Sequence, residues 1–153
     1  MDVRFVNPVL ESISNVLSTM ANLQPTAGKP ALKTDDRAQG VVTGIIDLKG
    51  KQTSGSVAVS FSKPVVLDIA KRMLRMETTE VNDMVKDLVG EIANMMAGGA
   101  KARLQDKGFD FDLTLPSVFT GEGHKVTHSV QGPTIVLPFD TDSGEFFVEM
   151  CFK

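Results

Sequence analysis

Two side chains in this sequence have the type and spacing to act together. They are Glu91 and Asn94, three residues apart in the run Asp87-Leu88-Val89-Gly90-Glu91-Ile92-Ala93-Asn94-Met95-Met96-Ala97-Gly98-Gly99-Ala100. On a helix, at about 100° per residue, Asp87, Glu91, Asn94, Gly98 and Lys101 fall within an arc of about 80°. A carboxylate and a carboxamide then share one stripe, with Gly90, Ala93 and Ala97 beside it. Small neighbours let another surface come close, so the stripe suits the binding or positioning of something brought to the helix.

The plain alternative is a solvated face on which Glu91 and Lys101 keep the helix wet, since i,i+3 polar pairs often have no role. Composition argues against it. Asn is a mediocre helix former that prefers caps. Gly90, Gly98 and Gly99 each cost about 0.5–1 kcal/mol relative to Ala inside a helix. Close packing of this helix against another would also call for small residues, and the sequence leaves both explanations open.

The remaining chemical candidates are weaker. His124 and His128 lie four apart in a strand or loop, with no third ligand nearby, so no metal site is expected. Gly121-Glu122-Gly123 is a turn rather than a phosphate loop, because no strand-loop-helix context follows. Cys151 reads as a buried, inert thiol without a partner base. Ser54, Ser56, Ser60 and Ser62 form no nucleophile elbow.

The elements that must position the stripe follow from periodicity. Asn7-Pro8 is expected to open a first helix, with Val6, Val9, Leu10, Ile13, Val16, Leu17 and Met20 at helical spacing and an end near Leu23. Residues 24–37 read as a loop. Gly40 to Leu48 and the alternating stretch through Val57, Val59 and Phe61 read as a hairpin with one buried face. Ser62-Lys63-Pro64 caps a short helix to about Arg75. The longest helix runs from near Thr79-Glu80 to about Gln105, with Val81, Val85, Leu88, Ile92, Met95 and Gly99 as its core face. Strands follow: Phe109 to Leu115, ended by Pro116, then Ser117–Thr120, Val126–Val130, Thr134–Phe139 and Glu145–Phe152, the last after an Asp142-Ser143-Gly144 turn. This order predicts an α+β fold in one domain, 1–153: two long helices and a short one packed on a largely antiparallel sheet.

Composition narrows the function classes. The chain has 153 residues, 42% hydrophobic and 23% charged, enough to bury a core without staples. Net charge is −3 with no basic patch, and Trp and Tyr are absent, so no nucleic-acid partner is expected. The single cysteine excludes an internal disulfide and agrees with a reducing compartment. Met1-Asp2-Val3-Arg4-Phe5 does not resemble a signal peptide, and no apolar run approaches the ~18–20 residues that span a bilayer. The expectation is a cytoplasmic protein without a membrane anchor.

The segment from Asp87 to Ala100 resembles the signature helix of the CheC/CheX/FliY phosphatases. That signature is an Asp or Ser, a Glu four residues on, an Asn three further, and a Pro some twenty residues later. Asp87, Glu91, Asn94 and Pro116 match it in order and spacing. The hairpin, the helix after Ser62-Lys63-Pro64 and Leu115-Pro116-Ser117-Val118 also resemble the single-motif, CheX-like form, from Asn7 to the end of the chain. The resemblance implies a CheC-like fold and dephosphorylation of phospho-CheY or a related response regulator.

In that reading Asn94 enters the partner's active site and holds the attacking water, because its amide both donates and accepts. Glu91 pairs with the partner's active-site lysine and orients the docked helix. Asp87 supports them. Gly90, Ala97, Gly98 and Lys101 are expected to contact the partner, and Pro116 is structural. The resemblance implies no cofactor of the chain's own; the metal would be Mg²⁺ in the partner. Asn7, Glu11 and Ser14 repeat the spacing on the first helix, but Ser replaces the Asn, and Asn15 lies about 100° away. One active site per chain is therefore expected, in a protein that pairs as a homodimer through sheet edges. The alternative is a non-catalytic dimeric binding module that docks a signalling partner.

Overall fold

The computed structural model describes residues 3–153. Helix α1 (Val3–Ala21) is followed by β1 (Thr26–Ala27), β2 (Ala31–Leu32), β3 (Val42–Lys49) and β4 (Gly55–Phe61). Helices α2 (Lys63–Leu74) and α3 (Asp83–Gln105) come next, then β5 (Asp112–Leu113), β6 (Ser117–Thr120), β7 (Ile135–Thr141) and β8 (Gly144–Phe152). The strands form one sheet in the order β1-β7-β8-β4-β3-β5, with β2 also on β7 and β6 also on β3. Every strand pairing described is antiparallel. The three helices bury their apolar stripes against the sheet face that carries Val57, Val59, Phe61, Phe146, Val148 and Met150. This is the α+β architecture that the order of elements predicts.

Several boundaries move, each for a packing reason. The first helix starts upstream of Asn7-Pro8, so Pro8 sits inside it. Phe5 supplies the reason: it is buried, stacked on Phe152 at 4.5 Å and tilted against Phe109 at 5.0 Å. Tertiary burial overrides the local start signal. The helix ends at Ala21, where Asn22 turns left-handed (φ 53) and the Leu23 N–H donates to the Leu17 carbonyl at 3.1 Å. Helix α3 starts at Asp83 rather than near Thr79, because the Asn82 side chain accepts from the Val85 N–H at 3.0 Å.

The expected loop 24–37 contains β1 and β2, which pair with β7 and cover that edge. Phe109 to Leu115 is not a continuous strand. Only Asp112–Leu113 pairs there, Phe109 and Phe111 turn into the aromatic cluster with Phe152, and Leu115 is 90% exposed.

The hairpin is buried on both faces rather than one, since every residue of β4 is buried. Loop segments cover the face away from the helices, and they explain why Val126–Val130 forms no strand. His124 drops onto Thr43 (Nε2 to Oγ1, 2.7 Å), and Thr43 donates to Ser60 at 3.0 Å. His128 bridges Ser56 (2.8 Å) and Glu149 (3.0 Å), and Lys33 donates to Glu149 at 2.6 Å. Polar side chains that would point to water on an open sheet are hydrogen-bonded beneath these loops, as burial requires.

Candidate functional site

Helix α3 is held from two sides. From below, Gly44 of β3 lets it approach the sheet. A Cβ added at Gly44 would stand 2.9 Å from Ala93 Cβ and 3.0 Å from the Val89 carbonyl oxygen. From the side, α1 crosses at Gly99, where an added Cβ would collide with Ser12, whose hydroxyl donates to the Met96 carbonyl at 2.7 Å. The two long helices therefore lie against each other, and Gly99 serves that packing. Gly98 has open space around its Cα and serves no packing.

With two contact surfaces, the buried side of α3 is wider than a single amphipathic stripe. It takes in Val85, Leu88, Val89, Gly90, Ile92, Ala93, Met96, Ala97, Ala100 and Leu104. Met95 and Gly99, expected in the core face, are half-buried: Met95 packs against the core and Gly99 against Ser12 of α1. Ala97, grouped with the partner contacts, is fully buried and faces the interior.

The opposite side carries the predicted stripe. Asp87, Glu91 and Asn94 are exposed, and Gly98 and Lys101 are half-exposed. Among the described residues, the side chains of Asp87, Glu91 and Asn94 make no hydrogen bond or ion pair. Lys86 beside them is engaged, with Asp83 3.6 Å away. Asp87, Glu91 and Asn94 border an open groove of about 470 Å³, together with Lys86, Gly90, Leu115, Pro116 and Val118. Gly90 is its floor: a Cβ there would meet Val118 Cγ2 at 3.4 Å and Pro116 Cγ at 3.8 Å. Pro116 thus packs against the motif helix, one wall of the groove opposite Glu91 and Asn94.

Leu115 and Val118 are groove walls that the sequence does not announce. Leu115 continues the apolar alternation from Phe109 and so reads as a core position; the one available signal is Pro116, which cannot extend the ladder.

The other candidates lie elsewhere. His124 and His128 sit on the far sheet face with separate partners, and no group of three or more His, Cys, Asp or Glu among the described residues could hold a metal ion. Cys151 is buried, with Sγ 3.6 Å from the carbonyl oxygens of Val130 and Gly132. On α1, Glu11 is tied to Arg103 of α3 at 3.4 Å, and Ser14 is half-buried.

Three helices laid on one face of a largely antiparallel sheet, with two long ones side by side, are the arrangement found in the CheC-like proteins. A CheC-like superfamily protein from Shewanella sp. PV-4 superimposes with a TM-score of 0.93 at 43% identity, covering 100% of this chain and 99% of the other. The chain belongs to the CheX family: the family model described as chemotaxis phosphatase CheX matches residues 42–140. The CheY-P phosphatase CheX of Thermotoga maritima is 28% identical over 148 residues, 96% of this chain and 94% of that protein. A chain of a CheX–CheY–BeF₃–Mg²⁺ complex from Borrelia burgdorferi matches with a TM-score of 0.81 and 29% identity, covering 97% of each chain.

Proposed function

We propose that this protein removes phosphate from the aspartyl-phosphorylated form of a CheY-type response regulator. The observation that carries the reading is the unpartnered pair Glu91 and Asn94, exposed together on the rim of one groove in a chain of the CheX family. The relatives named as a CheY-P phosphatase and as a CheX–CheY complex support the same substrate.

The chemistry is hydrolysis of an acyl phosphate. A water oxygen forms a bond to phosphorus as the bond to the aspartyl oxygen breaks, leaving inorganic phosphate and a free carboxylate on the regulator. Such a transfer needs placement and charge compensation more than covalent catalysis. Asn94 supplies placement: its carboxamide accepts from the water and donates beside it, fixing the angle of attack. Glu91 supplies docking, pairing its carboxylate with the regulator's active-site lysine, and Asp87 supports it from one turn away. Mg²⁺ belongs to the regulator. Gly90, Gly98 and Lys101 flank the contact.

A homodimer is part of the proposal, supported by the likeness to CheX. The two sheet edges, one of β1 and β2 and the other of β5 and β6, are the places for it. No helix among the described residues is long and apolar enough to cross a membrane, and the phosphorylated regulator puts the reaction in the cytoplasm.

The test mixes the protein with phosphorylated CheY and follows phosphate release. Wild-type protein should accelerate release, and Asn94→Ala should slow it by orders of magnitude with an unchanged fold. Tight binding of phosphorylated CheY without acceleration would instead make the protein a docking module.

A further inference from the structure

The sheet edge beside α3 contains one residue more than the ladder needs. Both β5 and β6 pair with β3, and Leu48 lies opposite Leu113 while Ile45 lies opposite Ser117. Between those pairs the edge passes through Thr114, Leu115 and Pro116, whereas β3 passes only through Ile46 and Asp47. This is a one-residue bulge, a device that bends an edge strand and re-aims a side chain. Thr114 keeps the edge attached: its N–H donates to the Asp47 carbonyl at 3.1 Å, and its hydroxyl accepts from the Asp47 N–H at 3.0 Å. Pro116 turns inward over Gly90. The surplus falls on Leu115, which stands out at 90% exposure.

A lone exposed leucine is ordinary. This one borders the groove that also holds Glu91 and Asn94, so a body delivering a phosphoryl group to Asn94 must cover it. We propose that Leu115 is an apolar docking contact for the receiver domain of the phosphorylated regulator, set at the edge of the site by the bulge. The proposal rests on the phosphatase reading above.

Charge selects the occupant. The groove presents two unpartnered carboxylates, Asp87 and Glu91, while its one ammonium, Lys86, is already beside Asp83. That balance suits a partner whose site presents a divalent cation and a lysine. A second copy of this chain docking symmetrically would set the same carboxylates against each other, which opposes association.

The experiment measures affinity for CheY loaded with beryllofluoride and Mg²⁺, and KM and kcat for release of phosphate from phosphorylated CheY. Leu115→Ser should raise Kd and KM about tenfold, the loss expected when one leucine no longer leaves water on binding, with kcat retained. Leu115→Met should restore both. Leu74→Ser, removing another exposed leucine (36%) at the end of α2, away from the groove and from both sheet edges, should change neither.

Unaltered Kd and KM in Leu115→Ser would overturn the proposal. So would a shift toward monomer in sedimentation with affinity for CheY intact, which would make a second copy the occupant. Asn94→Ala separates the two levels of inference. If it hydrolyses phosphorylated CheY normally, the phosphatase assignment of the groove fails, and the role of Leu115 fails with it. If it loses turnover while Leu115→Ser binds normally, only the docking role of Leu115 fails.

Discussion

Helices α1 and α3 carry the same spacing of polar residues to different ends. On α3, Asp87, Glu91 and Asn94 project into an open groove with no side-chain partner among the described residues. On α1, Asn7, Glu11 and Ser14 repeat the interval, but Glu11 is drawn to Arg103 at 3.4 Å and Ser14 is half-buried. A carboxylate held by an arginine must give up that partner before it can take a lysine from another protein. A serine hydroxyl offers one oxygen where a carboxamide offers a separate donor and acceptor. Spacing makes a stripe; the neighbours decide whether it is available.

The contrast can be broken or sharpened by four substitutions. The largest effect should come from Asn94→Ala, lowering kcat for phosphorylated CheY by on the order of 10²-fold or more, the scale seen when a positioning group is removed. Its circular-dichroism melt should overlay that of the wild type, and a normal kcat would remove the distinction between the helices.

Next is Gly44→Val, which wedges a side chain between β3 and the underside of α3. Overpacking there should cost about 2 kcal/mol, lowering Tm by about 5 °C in a thermal melt. An unchanged Tm would mean that α3 is free to rise from the sheet. Glu91→Gln should reduce kcat/KM about tenfold, mostly through KM, as loss of one docking charge predicts. A pure kcat effect would move Glu91 from docking to chemistry.

The smallest change belongs to Glu11→Gln. Its pair with Arg103 is largely exposed, so stability should move by less than about 1 kcal/mol in urea titrations, with turnover unchanged. A loss of turnover here would show α1 to be a working site.

The stripe of α3 was legible because it depends only on helical period, and Asp87, Glu91 and Asn94 emerge on the outer face as that period dictates. The antiparallel α+β order was legible for a related reason: long amphipathic helices and short alternating runs have different repeats. The limits of β6 are those that its Val-Phe pattern and Pro116 indicate.

What failed to show was whatever depends on contacts distant in sequence. Pro8 marks a helix start by local rules, yet Phe5 is pulled into the helix by Phe109 and Phe152, more than a hundred residues away. A wheel gives Val85, Leu88, Ile92 and Met95 as the core face of α3, but not the contacts at Gly44 and Ser12 that widen the buried side, which no wheel contains. Val126–Val130 has the composition of a strand, and its histidine instead satisfies Ser56 and Glu149. Leu115 obeys alternation to the last residue before the ladder gains its surplus, and alternation cannot count residues on the opposing strand.

Gly44 has one more consequence. It lies on the inner surface of the fold, with the whole thickness of α3 between it and the rim where Glu91 and Asn94 sit. The projection of those two side chains is therefore calibrated from underneath, by a hydrogen atom where other residues have carbon. A methyl group added there would act as a shim, tilting the rod and displacing its outer tips relative to Pro116 without touching any of them. Under the proposed function, the accuracy with which Asn94 meets the regulator is thus kept by a glycine beneath the helix.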